Sequence, residues 1–94
     1  MPAATPDDIA RIAKALSVDT RVRIVELLKG NCLCVNALAA RLTVTQSAVS
    51  QHLRILREAG LVTPEKRGYW VHYRLNEQTL GQWRETLADL LTAR

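Results

Sequence analysis

A mainly α-helical domain carrying one β-hairpin is the fold class that this 94-residue sequence predicts, and three observations predict it. Apolar residues recur at helical spacing over most of the chain. The period turns strand-like only between Leu61 and Leu75, and that stretch has a glycine-centred turn near its middle. The expected order is helix, helix, helix, helix, hairpin, helix, in a single domain over residues 1–94. A chain of this length is enough for one hydrophobic core and too short for two.

Taken in order, the first helix opens at Asp7 and Asp8 after Thr5 and Pro6, where acidic charge suits the positive helix end. Ile9, Ile12, Ala13 and Leu16 fall on one face of it. Asp19 is placed to cap a second helix, and Gly30 to end it. There Val22, Ile24, Val25, Leu27 and Leu28 cover more than half of the cylinder, which predicts a central, buried element. A third helix starts somewhere between Asn31 and Asn36 and runs to about Leu42, with Val35, Leu38, Ala39 and Leu42 inward. Thr43 to Thr45 make a tight connection to a fourth helix, capped by Thr45 and stopped by Gly60. The hairpin has a β-rich stretch to Glu65, a turn at Lys66, Arg67 and Gly68, and a second run from Tyr69 to Leu75. Asn76 then caps a last helix in which Leu80, Trp83, Leu87, Leu90 and Leu91 keep helical spacing.

Apolar residues make up 48% and charged residues 23%, the balance of a globular domain rather than a disordered chain. No apolar run approaches the roughly 18 residues that a membrane span needs. Met1 to Ala15 has no signal-peptide core, so the expected location is the cytoplasm, with no membrane partner. The net charge of +4 is unevenly placed. Between Arg41 and Arg74 lie six basic and two acidic residues, so this window holds the whole excess. A local basic field on an otherwise neutral body suits binding to a phosphate backbone.

Two helices joined by about three residues, the second polar on one side and followed by a basic hairpin, make the layout of a winged helix-turn-helix. The helix pair spans about 35–59 and the wing about 61–75. On a wheel of the fourth helix, Ser47, Ser50, Gln51 and Arg54 fall within about 100° of arc. Val49, Leu53, Leu56 and Ala59 lie on the far side. Gln and Arg can read adenine and guanine bidentately in the major groove, while the hydroxyls near the helix start suit bases or phosphates. The expected DNA contacts are therefore Thr45, Gln46, Ser47, Ser50, Gln51 and Arg54, with Lys66 and Arg67 at the wing tip and Tyr69 and Arg74 flanking them. Any amphipathic surface helix has a polar face, so the argument rests on position between a tight turn and a basic hairpin. His52, at the border of the apolar arc, reads as a packed structural residue.

Both cysteines of the chain lie in one Cys-x-Cys, at Cys32 and Cys34. In a reducing compartment a structural disulfide is not expected, and its local geometry would be poor. Residues i and i+2 point about 200° apart on a helix and to the same side of an extended strand. For one ion to hold both sulfurs, the backbone at Leu33 must be extended or the first turn of the third helix must open. Thiolate pairs select soft ions such as trivalent arsenic, cadmium or lead. The alternatives are an oxidation sensor and a pair of small apolar residues at a helix start. An enzyme is not expected: His52 and His72 stand without a nucleophile and base at a usable spacing, and there is no glycine-rich phosphate loop.

Ala15 to Thr20 (ALSVDT), Gln46 to Leu53 (QSAVSQHL), Ala59 to Val62 (AGLV) and Trp70 to Leu75 (WVHYRL) resemble the ArsR/SmtB family of bacterial metal-responsive winged helix-turn-helix repressors, over nearly the whole chain. The resemblance implies a homodimer whose first and last helices pack across the two-fold axis, with operator DNA released when an effector binds. The apolar faces at Ile9, Ile12 and Leu16 and at Leu80, Trp83, Leu87 and Leu90 agree with terminal helices for dimerisation. Cys32 and Cys34 resemble the arsenic-sensing branch, in which a C-V-C-type motif at this place binds arsenite or antimonite. Family members often add a third cysteine three residues on, where this chain has Ala37, so a small thiol or water would complete the site. No acid and histidine pattern fills the last helix, so the zinc site of other branches is not expected. The function expected is a dimeric repressor released by arsenite, antimonite or another soft metal ion. A thiol redox-responsive or effector-independent repressor, and a protein-binding winged-helix module, are the alternatives.

Overall fold

A computed structural model of the chain describes residues 4–93. Five helices and three short strands follow one another as α1 (Pro6–Ala15), α2 (Asp19–Leu28), β1 (Leu33–Cys34), α3 (Val35–Leu42), α4 (Gln46–Glu58), β2 (Val62–Arg67), β3 (Trp70–Leu75) and α5 (Glu77–Leu91). The mainly α fold with a β-hairpin wing is as expected from the sequence, and β1 is an addition to it.

The helix ends follow local chemistry. At α1 the Thr5 hydroxyl accepts from the Asp8 backbone N–H at 3.2 Å, and the Asp8 carboxylate accepts from the Thr5 N–H at 2.9 Å, a reciprocal capping box with Pro6 in the first turn. That backbone bond, then the Thr5 side chain, holds the Asp8 carboxyl below its ordinary pKa. Asp19 does not cap α2. The cap position is Val18, which offers no side-chain acceptor, and Asp19 sits inside the first turn, where it pairs with Arg23 at 3.6 Å. Tertiary packing carries this helix start instead: Arg21, only 6% exposed, donates to the Lys14 carbonyl at 3.2 Å and so ties α2 to the end of α1.

The core is built from α2, α3, α4 and the base of the wing. Ile24, Leu28, Leu38, Val49, Leu53, Leu56 and Leu61 are almost wholly buried, each contributing about 1.5–3 kcal/mol of transfer free energy. Val22 points away from it and is exposed, so α2 is buried on a narrower face than its apolar content suggests. Ile12 and Ala15 of α1 are also buried, outside that cluster. No residue of α5 is fully buried, although Leu80 and Trp83 pack against the core.

The strands form one antiparallel sheet in the order β1-β3-β2. Arg67 pairs with Trp70, leaving a two-residue turn at Gly68 and Tyr69 rather than the longer turn expected at Lys66, Arg67 and Gly68. Gly68 has φ +63, a conformation open to glycine, at the first turn position that tight hairpins reserve for it. Lys66 and Arg67 therefore end β2 below the tip, and Tyr69, fully exposed, occupies the tip. Residues directly opposite one another share a face. Val62 and Leu75, both buried, lie on the core-facing side with Leu33 and Tyr73, which pack against the core. Glu65, Arg67, Trp70, His72, Arg74 and Cys34 lie on the other face.

Candidate nucleic-acid interface and thiol site

The turn before α4 is tight because Thr43 adopts a left-handed conformation, φ 56 and ψ 44, which reverses the chain within three residues. Thr45 then caps α4, its hydroxyl accepting from the Ala48 N–H at 3.1 Å. That oxygen is engaged as an acceptor, while its proton remains free to donate. Gln46, Ser47, Ser50, Gln51 and Arg54 are all exposed on α4, opposite the buried Val49, Leu53 and Leu56. Arg54 reaches Glu58 at 3.2 Å, an exposed i,i+4 pair of the weak kind that a phosphate or base can displace. His52 is half-buried, with Nδ1 enclosed and without a hydrogen bond.

On the wing, Lys66 and Tyr69 are exposed and Lys66 makes no ion pair among the described residues, whereas Arg67 is engaged. Glu65 draws in both Arg67 at 3.7 Å and Arg74 at 3.4 Å, so one carboxylate partly neutralises two of the wing's cations.

The cysteines stand at the junction of the two halves. Leu33 and Cys34 form β1, paired with Tyr73 and His72 of β3, and α3 begins only at Val35 with Cys34 as its cap residue. Of the two alternatives left open by the sequence, the extended backbone at Leu33 is the one observed. Both thiols are free and half-buried, on the outer face of the sheet. The Cys32 Sγ lies 3.9 Å from Glu65 Oε2, a long and weak S–H···O contact. The row Cys34, His72, Glu65 runs straight across the three strands. His72 Nδ1 is buried within it and has no hydrogen-bond partner. No three His, Cys, Asp or Glu side chains among the described residues already converge on one point.

Sequence reasoning missed Glu65 and His72 as neighbours of the cysteines. The period-two pattern puts Trp70, His72 and Arg74 on one face, but only the strand register, set by the two-residue turn, brings His72 opposite Glu65. The pairing of β1 with β3 has no signal in a two-residue strand.

A polar helix face presented after a tight turn, flanked by a basic hairpin, defines a winged helix-turn-helix regulator of the DNA-binding class. The chain belongs to the arsR family of bacterial regulatory proteins, whose pattern matches residues 19–63. The arsenical resistance operon repressor of Escherichia coli K12 is 40% identical over 80 residues, which cover 84% of this chain and 68% of that protein. The chain spans 56–68% of the length of such relatives. A crystal structure of a "possible transcriptional regulator for arsenical resistance" superposes with a TM-score of 0.79 at 40% identity, covering 95% of this chain and 88% of the other. The solution structure of a homodimeric winged helix-turn-helix domain from Mycobacterium bovis superposes with a TM-score of 0.74 at 25% identity, covering 99% and 94%. The family and these relatives are DNA-binding transcriptional regulators.

Proposed function

We propose that this chain acts as a homodimeric repressor that grips operator DNA with α4 and the wing. It lets go when arsenite, antimonite or another soft ion binds Cys32 and Cys34. Thr45, Gln46, Ser47, Ser50, Gln51 and Arg54 make the major-groove contacts, and Lys66, Arg67 and Tyr69 those of the wing, with the groove-facing residues giving sequence preference and the cations affinity. Homodimerisation has support from the open groove of about 360 Å³ lined by Leu16, Val25, Leu61, Leu80, Trp83 and Leu87, and from the exposed Leu90 and Leu91 beyond it. No helix among the described residues is long and apolar enough to cross a membrane.

One observation carries the effector reading. Leu33 and Cys34 lie on extended backbone with Cys34 on the outer face of the sheet, and Cys32 touches the carboxylate on that same face that also holds Arg67 and Arg74. When both thiols give up their protons to an ion, the S–H donor facing Glu65 is lost. Glu65 then redistributes its bonds among the wing arginines, and the N-terminal end of α3 is pulled at the same time. A coupling of about 1–3 kcal/mol, the usual range between two sites, lowers operator affinity by about 5–150-fold.

Titrating arsenite into the reduced protein on a fluorescent operator duplex tests this. The expected result is release of the duplex in that range, lost in Cys34→Ser. Affinity that is unchanged by arsenite, antimonite and cadmium overturns the effector reading.

A further inference from the structure

We propose that His72 is the third protein ligand of the thiol site, so that Cys32 and Cys34 together with this wing residue make a set suited to a divalent thiophilic cation such as cadmium or zinc. The proposal rests on the thiol-site reading above and says which ions that site takes. It starts from the strand register: Cys34 and His72 are directly opposed on β1 and β3, with side chains on the same face. Opposed Cβ atoms in a sheet are about 4.5–5.5 Å apart. Two side chains leaving that baseline can close to the roughly 3.5 Å between sulfur and nitrogen that a tetrahedral ion imposes, given bonds of about 2.3 Å to sulfur and 2.0–2.1 Å to nitrogen. For this pair the change needed is rotation of the two side chains, while drawing in Cys32 as well pulls on the start of α3.

The second observation is the state of His72 itself. Its Nδ1 is buried and makes no hydrogen bond among the described residues, although leaving a buried polar nitrogen without a partner is costly. A ring nitrogen held dry beside a thiol is a ligand waiting for an acceptor of its lone pair. On the far side of His72 in the same row stands Glu65. Metal-ligating histidines usually donate their other N–H to a carboxylate, which fixes the ring and raises its basicity, and Glu65 is placed to accept it.

The donor set decides the ion. Imidazole suits zinc and other borderline metals, and two thiolates with one imidazole and an open fourth position make a familiar divalent zinc arrangement. Trivalent arsenic gains little from a nitrogen donor and uses the thiolates alone. His72 therefore separates the two classes of effector: it holds a divalent cation and is a bystander to arsenite.

The test uses the reduced 94-residue chain labelled with nitrogen-15, titrated separately with cadmium and with arsenite. The chain has only two histidines, so the imidazole resonances of His72 and His52 are readily told apart. One His72 ring nitrogen is expected to shift on cadmium addition and neither on arsenite addition. In parallel, His72→Ala should weaken cadmium binding by more than about 100-fold and Glu65→Gln by about 10–100-fold, the latter being the usual effect of removing a partner of a metal ligand. Arsenite affinity should change less than about 3-fold in His72→Ala. Cadmium bound with unmoved His72 resonances, or with full strength by His72→Ala, overturns the ligand role and leaves the thiol pair standing as effector site. Failure of both cadmium and arsenite to bind the wild-type protein overturns both readings. The resonance shift is read on unaltered protein, so a poorly folded variant does not blunt the test.

Discussion

Glu65 has three claims on its carboxylate: Arg67, Arg74 and the Cys32 thiol. Each is partly exposed and individually weak, yet together they decide how much positive charge the wing shows to DNA. Replacing Glu65 by Gln removes the charge and keeps the shape. Operator affinity should then rise, and the slope of log affinity against log salt should steepen by up to about 0.9 for each arginine released to a phosphate. The same variant should respond less to thiol ligands, because Cys32 no longer reports to the arginines through a charge. A salt series of binding titrations with and without arsenite measures both effects. Arg21 shows the opposite behaviour of a charged group, since its burial at the α1–α2 corner ties two helices together where Val18 gives no cap.

At the scale of elements, the joint between α3 and α4 stores strain. Thr43 is the only non-glycine residue with positive φ among those described, and a β-branched side chain is poorly suited to it. Thr43→Gly should therefore stabilise the fold by about 1 kcal/mol after the extra entropy of glycine in the unfolded chain is counted, seen as a higher midpoint in urea. The helices were legible in the sequence because each carries a long periodic face: Val49, Leu53 and Leu56 on α4 are inward as their spacing requires. Boundaries set by contacts far along the chain were not. Asp19 looks like a cap by residue type, but α2 begins where Arg21 finds the end of α1. The turn looked as though it belonged to Lys66, Arg67 and Gly68, but cross-strand pairing carries β2 on to Arg67. For the candidate site, the two cysteines are visible in the sequence as a motif. Glu65 and His72 become their neighbours only through the register, and that is a property of three strands together.

Seen whole, the described chain is elongated, 48 × 23 × 20 Å, with a radius of gyration of 14.2 Å. A compact domain of this length would have a radius of about 12 Å. The excess agrees with a protomer shaped for a partner: α5 has no fully buried residue, and Leu87 lines an apolar groove beside Leu16 and Trp83. On the proposed homodimer, Leu87→Glu places a charge in the apolar groove and should convert dimer to monomer in sedimentation. Binding to a palindromic operator should fall steeply while the far-ultraviolet circular dichroism of the fold is kept. A variant that stays dimeric would locate the interface elsewhere.

β1 is only two residues long, yet it limits how the hairpin can move relative to α3. Leu33 and Cys34 are paired to β3 while Val35 already belongs to α3, so the hairpin is not an arm that can swing loose from the reading helix. Withdrawing it from a groove means either unzipping that short pairing or tilting the protomer bodily. In a two-fold dimer the second route lifts both half-sites together. On the proposed function, release then involves the whole protomer and not the hairpin alone.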